Sequence, residues 1–417
     1  MPAIIDCMKV RIHRGAVEIG GSCIEVESSG QRILLDVGIP LAASDVLQPL
    51  VPVVDSVSLC GIAISHPHQD HYGLLPWMPG RTPVALGIAA RRILKAALPF
   101  TKHPAMHLNG PSFVHRQPVV LGPFRITPYL VDHSAYDAYA LLIEAEGKRL
   151  FYSGDMRMHG RKAQLMDKLM ATGPKDVDVL LLEGTTLGRG NSGTPSLSED
   201  DLEVAFQNTF NKTAGLVLVQ TSPQNIDRMV TIYRACLKSG RNLVFDLYAA
   251  SILEATGNPA IPQSHWKQIN LAIPNRQRVQ IKTNSWFDVL ARHSANRVYL
   301  RKDIAGNPGK YVLLFRNVWM SDLERADCLS GASLIHSQWE GYLKEPSCQK
   351  VERWRTRHGI PLHQIHTSGH ASPQDLQRFA NAMSPKVLVP IHSANPQSFR
   401  TLYPNVECHV DGEWWEI

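Results

Sequence analysis

Residues 65–73 read S-H-P-H-Q-D-H-Y-G. His66, His68, Asp70 and His71 are all metal-ligand types, and no cysteine stands among them. His66 and His68 alternate, so at the end of an extended segment both point to one side. Asp70 and His71 follow at the turn and aim at a neighbouring point. Neutral imidazole and carboxylate are donors that Zn²⁺ or Mn²⁺ accepts without thiolate. One ion takes about four donors, and two ions sharing a bridging carboxylate take more. The remaining donors must arrive from elsewhere in the chain.

The residues around this motif give it a frame. G-I-A-I-S at 61–65 reads as a short buried strand that delivers the histidines onto a loop. Three more donors follow apolar strands in the same manner: His133 in L-V-D-H-S, Asp155 in Y-S-G-D-M and His392 in V-P-I-H-S. Loops at strand ends converge at one edge of a sheet. A lone strand-end histidine is usually a packed or hydrogen-bonded residue, but H-x-H-x-D-H on a strand-to-loop turn is seldom assembled by chance, and it strengthens the other three.

The chain has 417 residues, of which 44% are hydrophobic and 19% charged, the profile of a soluble globular protein with two or three domains. Its net charge of +6 leans mildly toward anionic partners. The seven cysteines are scattered without a C-x-x-C pair, which argues against a disulfide framework or a thiolate zinc site. The N-terminus, M-P-A-I-I-D-C-M-K, lacks the basic and apolar regions of a signal peptide, and no window approaches the apolar length of a membrane span. A cytoplasmic protein with no membrane contact is expected.

Short β-rich runs fill residues 9–37, with a hairpin predicted at Ser29-Gly30. A helix is predicted near 87–98, then strands at 118–121, 125–131, 139–145, 149–153 and 178–183. The loop G-R-G-N-S-G-T-P-S at 188–196 marks a change of style. Helices at 199–211 and 225–239 then alternate with strands at 215–220 and 242–246. Within 266–302, eight Lys or Arg stand against the single acid Asp288, interleaved with Trp266, Trp286, Phe287 and Tyr299. Such a stretch either lines a groove for single-stranded nucleic acid or forms a solvated basic face over core aromatics, and the second is the more ordinary reading. His103, His107 and His115 read as loop residues. Segments 361–368 and 386–391 resume strands that lead to histidines. One domain inserted within another is the expectation: residues 1–194 and 359–417 as two parts of one α/β domain, with 195–358 between them.

H-P-H-Q-D-H resembles the H-x-H-x-D-H signature of the metallo-β-lactamase fold, with Asp36 in L-L-D-V-G, His133 and Asp155 at the positions of its first, third and fourth motifs. Glu183 in L-L-L-E-G-T, His370 in H-T-S-G-H-A-S and His392 in V-P-I-H resemble motifs A, B and C of the β-CASP branch, which contains nucleic-acid nucleases. D-H-S-A-Y-D-A-Y, S-P-Q-N-I-D-R-M at 222–229 and H-T-S-G-H-A-S are most similar to the ribonuclease J group. Motif C departs from that group in being followed by Ser393-Ala394-Asn395, and S-G-A-S-L-I-H-S-Q-W-E at 330–340 matches it poorly.

The resemblance implies an αββα metallo-β-lactamase sandwich with an inserted α/β β-CASP domain. It implies two divalent ions, Zn²⁺ or alternatively Mn²⁺, one held by His66, His68 and His133, the other by Asp70, His71 and His392, with Asp155 bridging. Asp36 would orient a ligand or the water, and Glu183 would set the tautomer of a phosphate-binding or proton-donating His370. His366 and Ser368 alternate with His370, so in an extended segment they share its face as phosphate donors. The implied activity is hydrolysis of single-stranded RNA, as an endonuclease, a 5′→3′ exonuclease or both, with His392 favouring RNA over DNA. A DNA nuclease, another metallohydrolase of this fold and a non-catalytic RNA-binding subunit are the alternatives. A homodimer is an expectation of the resemblance alone, and no protein partner is readable.

Overall fold

A computed structural model describes residues 7–41, 50–101, 104–188 and 196–417. His103 and most of the 188–196 loop, with the expected boundary at 194, lie outside the described residues. The chain divides into two compact units, Met1–Ser196 with Gly369–Ile417, and Leu197–Ser368.

The first unit holds two sheets. One runs in the order β19 (Trp414–Glu416), β1 (Lys9–Arg14), β2 (Cys23–Ser28), β3 (Gln31–Leu35), β4 (Leu59–Ala63), β5 (Val84–Gly87), β6 (Ser112–Phe113). The other runs β18 (Val387–Ile391), β11 (Val179–Glu183), β10 (Lys148–Tyr152), β9 (Tyr139–Ala145), β8 (Phe124–Leu130), β7 (Val119–Leu121). The predicted hairpin joins β2 to β3, with Ser28 opposite Gln31 and positive φ at Ser29 (52°) and Gly30 (71°), as a tight two-residue turn of matching twist requires.

Alternation along the strands explains the layers. Leu141 and Ile143 of β9 pack with Val10, Ile24 and Ile33 of the first sheet in a shared core, while Ala140 and Leu142 face the other way. That outer face is covered by Leu376 and Phe379 of the helix Pro373–Met383 and by Met166 and Leu169 of the helix Ala163–Thr172. Ala90 and Leu94 of the helix Ile88–Ala97 cover the far face of the first sheet beside Ile62 and Leu86. Helix, sheet, sheet and helix therefore stack in the expected αββα order.

The second unit is a fully parallel sheet ordered β14 (Ile269–Leu271), β13 (Asn242–Phe245), β15 (Tyr311–Phe315), β12 (Val217–Gln220), β16 (Ser333–His336), β17 (Leu362–Gln364). Its first two helices start on side-chain caps: Ser198 and Asp201 form a capping box on Glu199–Lys212, and Asn225 caps Ile226–Ser239. Residues 359–368 differ from expectation. They do not resume the first unit, because Leu362–Gln364 pairs with Leu334–His336 and ends the second sheet. In the basic stretch, Trp266 packs against Tyr233 at 5.5 Å, whereas Phe287 and Tyr299 are exposed.

Candidate metal centre

In the first unit, β3 and β4 run parallel, as do β10, β11 and β18, and β8 shares their direction because it is antiparallel to β9. The residues leaving these carboxyl ends are Asp36, the 65–71 loop, His133, Asp155, Glu183 and His392. Two of them, Asp36 (φ 57°) and His392 (φ 50°), adopt the left-handed backbone that non-glycine residues rarely take. Such strain concentrates where a fold must aim a side chain.

Three imidazoles converge first. His68 Nδ1 lies 3.2 Å from His66 Nε2 and 3.2 Å from His133 Nε2. Donors on a tetrahedral ion with bonds of about 2.0–2.1 Å lie roughly 3.3 Å apart, so the spacing fits one ion. A second group brings together Asp70, His71, Asp155 and His392. Asp155 Oδ2 stands between the groups, 3.1 Å from His71 Nε2 and 3.7 Å from His66 Nε2. His392 Nε2 lies 3.5 Å from Asp70 Oδ2, buried, and makes no hydrogen bond among the described residues.

The far nitrogens are held. His133 Nδ1 donates to the Gly369 carbonyl at 2.6 Å, leaving Nε2 turned inward. His71 Nδ1 donates to Asp36 Oδ2 at 2.7 Å. Ser65 Oγ donates to the same carboxylate at 2.7 Å and lies 3.0 Å from His66 Nδ1. Asp36 thus orients one imidazole directly and another through a hydroxyl. His370 Nδ1 faces Glu183 Oε1 at 3.3 Å.

Electrostatics divide the two groups. Burial holds His66 and His133 well below the ordinary imidazole range and lowers His68, so all three stay neutral with lone pairs available. Burial opposes charge on His71 and His392 as well, but there the carboxylates prevail. Asp155, Asp36 and Asp70 raise His71 strongly, and Asp155 and Asp70 raise His392 to about 10. Burial likewise disfavours ionised Asp70 and Asp155, yet the facing imidazoles hold both well below the usual carboxylate range. His370 is raised because Glu183 and Asp155 outweigh burial.

Of the twelve residues singled out from the sequence, all except His366 and Ser368 fall in this one cluster. Those two belong to the second unit. There the 365–368 segment is not a strand, so the predicted alternation with His370 is not formed. His115 is a loop residue, accepting from the Leu130 amide at 3.0 Å. Sequence reasoning missed Ser65 and Tyr152, which both bond Asp36, and Gly38. A Cβ on Gly38 would fall 1.7 Å from the Asp70 carbonyl oxygen. The glycine of L-L-D-V-G was the available signal for that close approach.

This geometry has relatives. Residues 31–203 match the Beta-lactamase superfamily domain. The chain carries a metallo-β-lactamase domain. Residues 360–398 match the Zn-dependent metallo-hydrolase RNA specificity domain, so the metallo-β-lactamase domain is accompanied by a second element of that hydrolase group. The chain is similar to ribonuclease J of Mycoplasma genitalium, with 24% identity covering 92% of this chain and 67% of that protein. It is also similar to ribonuclease J of Helicobacter pylori, with 22% identity covering 97% of this chain and 58% of that protein. It therefore spans about three fifths to two thirds of the length of these relatives. A solved protein of unknown function from Enterococcus faecalis shares the fold, with a TM-score of 0.78 and 21% identity, covering 99% of this chain and all of that one.

Proposed function

We propose that the protein is a metal-dependent ribonuclease of the β-CASP kind, with residues 197–368 as the inserted domain. The observation that carries this reading is the placement of Asp155 Oδ2 between two converging donor groups. Its support is the similarity to ribonuclease J and to the RNA specificity domain.

His66, His68 and His133 would hold one divalent ion; Asp70, His71 and His392 would hold a second, with Asp155 shared. The donor set is nitrogen and oxygen only, which suits Zn²⁺ and also accepts Mn²⁺. When bound, the ions supply positive charge at the scissile phosphate and activate the attacking water. Asp36 fixes the tautomers of His71 and His66, so their inward nitrogens stay available as donors. His370, its Nδ1 facing Glu183, carries a proton that its Nε2 can deliver to the leaving oxygen or hold against the phosphate.

The test is cleavage of 5′-monophosphorylated, end-labelled single-stranded RNA and matching DNA, with Mn²⁺ or Zn²⁺, beside Asp70→Ala. Metal-dependent RNA cleavage that disappears in the variant is expected, and the ladder separates internal from 5′-end attack. Cleavage of DNA alone would overturn the RNA assignment. Metal-loaded protein that cuts neither would overturn the nuclease assignment.

A further inference from the structure

The second unit carries the chain's whole charge imbalance. Leu197–Ser368 holds 21 Lys and Arg against 15 Asp and Glu, whereas the first unit holds 22 of each. Because all six of its strands are parallel, their carboxyl ends share one edge. After β12 the chain crosses to β13 on one side, and after β16 to β17 on the other. In open parallel sheets ligands bind where connections diverge in this way.

Two flat surfaces stand at that edge. Arg316, directly after β15, lies over the Tyr248 ring at 4.8 Å. Arg316 is paired with Asp246, directly after β13, and Gln224 Nε2 donates to the Tyr248 hydroxyl at 2.9 Å. With its charge answered by Asp246, the guanidinium offers a stacking plane more than a free cation. Beyond β16 stands Trp339, 42% exposed, edge-on to Tyr342 at 5.5 Å. A Cβ on Gly341 would fall 2.3 Å from the indole, so the ring lies directly on glycine backbone. Trp339 also falls in 330–340, where the likeness to the ribonuclease J group is poor.

We propose that Trp339 and the Tyr248–Arg316 pair are stacking platforms for unpaired bases of a single-stranded RNA. The proposal rests on the ribonuclease reading and deepens it. Strands β15 and β13 lie two and three positions from β16, so the strand ends that lead to the platforms are roughly 10–14 Å apart, a span that a few nucleotides cover. Aromatic and guanidinium planes accept any base, so recognition here is of single-strandedness and not of sequence. The positive unit answers the phosphates, and its like charge disfavours a second copy of the chain as the occupant.

The test is fluorescence anisotropy of the full-length Asp70→Ala chain with fluorescein-labelled oligo(U) twelve-mer, beside an abasic ribose-phosphate strand of equal length. Trp339→Ala is expected to weaken oligo(U) binding about tenfold and to leave the abasic strand unaffected. Trp339→Phe should restore most of the loss, and Tyr248→Ala should behave like Trp339→Ala. Unchanged oligo(U) affinity in either alanine variant, or equal losses on both probes, would overturn the platforms. If the native chain cuts RNA and Trp339→Ala binds normally, stacking alone falls. If the native chain neither binds nor cuts RNA, the ribonuclease reading falls and takes this one with it.

Discussion

His71 Nδ1 and Asp36 Oδ2 are 2.7 Å apart, both fully buried. The same carboxylate accepts from the Ser65 amide at 2.7 Å and from Ser65 Oγ, so one acid governs two of the converging imidazoles. Outer partners of this kind typically set metal affinity by ten- to a hundredfold. Asp36→Asn keeps a side chain that tolerates positive φ but loses the acceptor charge. We expect about tenfold or greater loss of metal affinity, read by competition with a chelator of known affinity. Unchanged affinity would show that Asp36 only caps the strand.

Gly38 meets the backbone of Asp70 where no side-chain atom fits. Gly38→Ala must push the 69–71 turn away or unfold it. Loss of bound metal together with a lower melting temperature is expected, by metal analysis and calorimetry. A variant that binds metal and melts like the parent would contradict the observed packing.

His370 and Glu183 face each other beside Asp155, outside the seven proposed ligands. His370→Ala should retain metal while losing about a hundredfold or more in kcat, the usual worth of a positioned proton donor. Metal analysis and single-turnover cleavage separate the two effects. Loss of metal in parallel with activity would make His370 a ligand instead.

His366 sits close to Arg228 and Ser337 within the second unit, and its Nδ1 has no hydrogen-bond partner among the described residues. Burial first, then the Arg228 charge, pushes the imidazole down to about 3. The unfolded chain takes up a proton near pH 6.5, and the fold does so only far below that. His366 therefore costs nothing above that pH and destabilises the fold progressively as pH falls toward 3. NMR of its ring proton should show no titration between pH 5 and 8, and His366→Asn should shift acid unfolding to lower pH. A titration near 6.5 would mean that the ring is solvated.

The donor types, their strand-end placement and the Ser29-Gly30 turn were legible in the chain because each rests on local chemistry. Alternation places His66 beside His68, and apolar runs of strand length end at His133, Asp155 and His392. Side-chain period and turn preference act over a few residues, so they survive without knowledge of neighbours. Pairing does not. A short extended segment such as P-L-H-Q-I at 361–365 fits the edge of either sheet, and only its register with Leu334–His336 assigned it to the second. The parallel alignment of β3 with β4 brought Asp36 to His71 and Gly38 to Asp70, and the stacking of the two sheets brought Asp155 to His71. The sequence determined which atoms were available as donors. The tertiary structure decided which of them face one another, because contacts between distant strand ends depend on sheet order and register, and neither is written in any single segment.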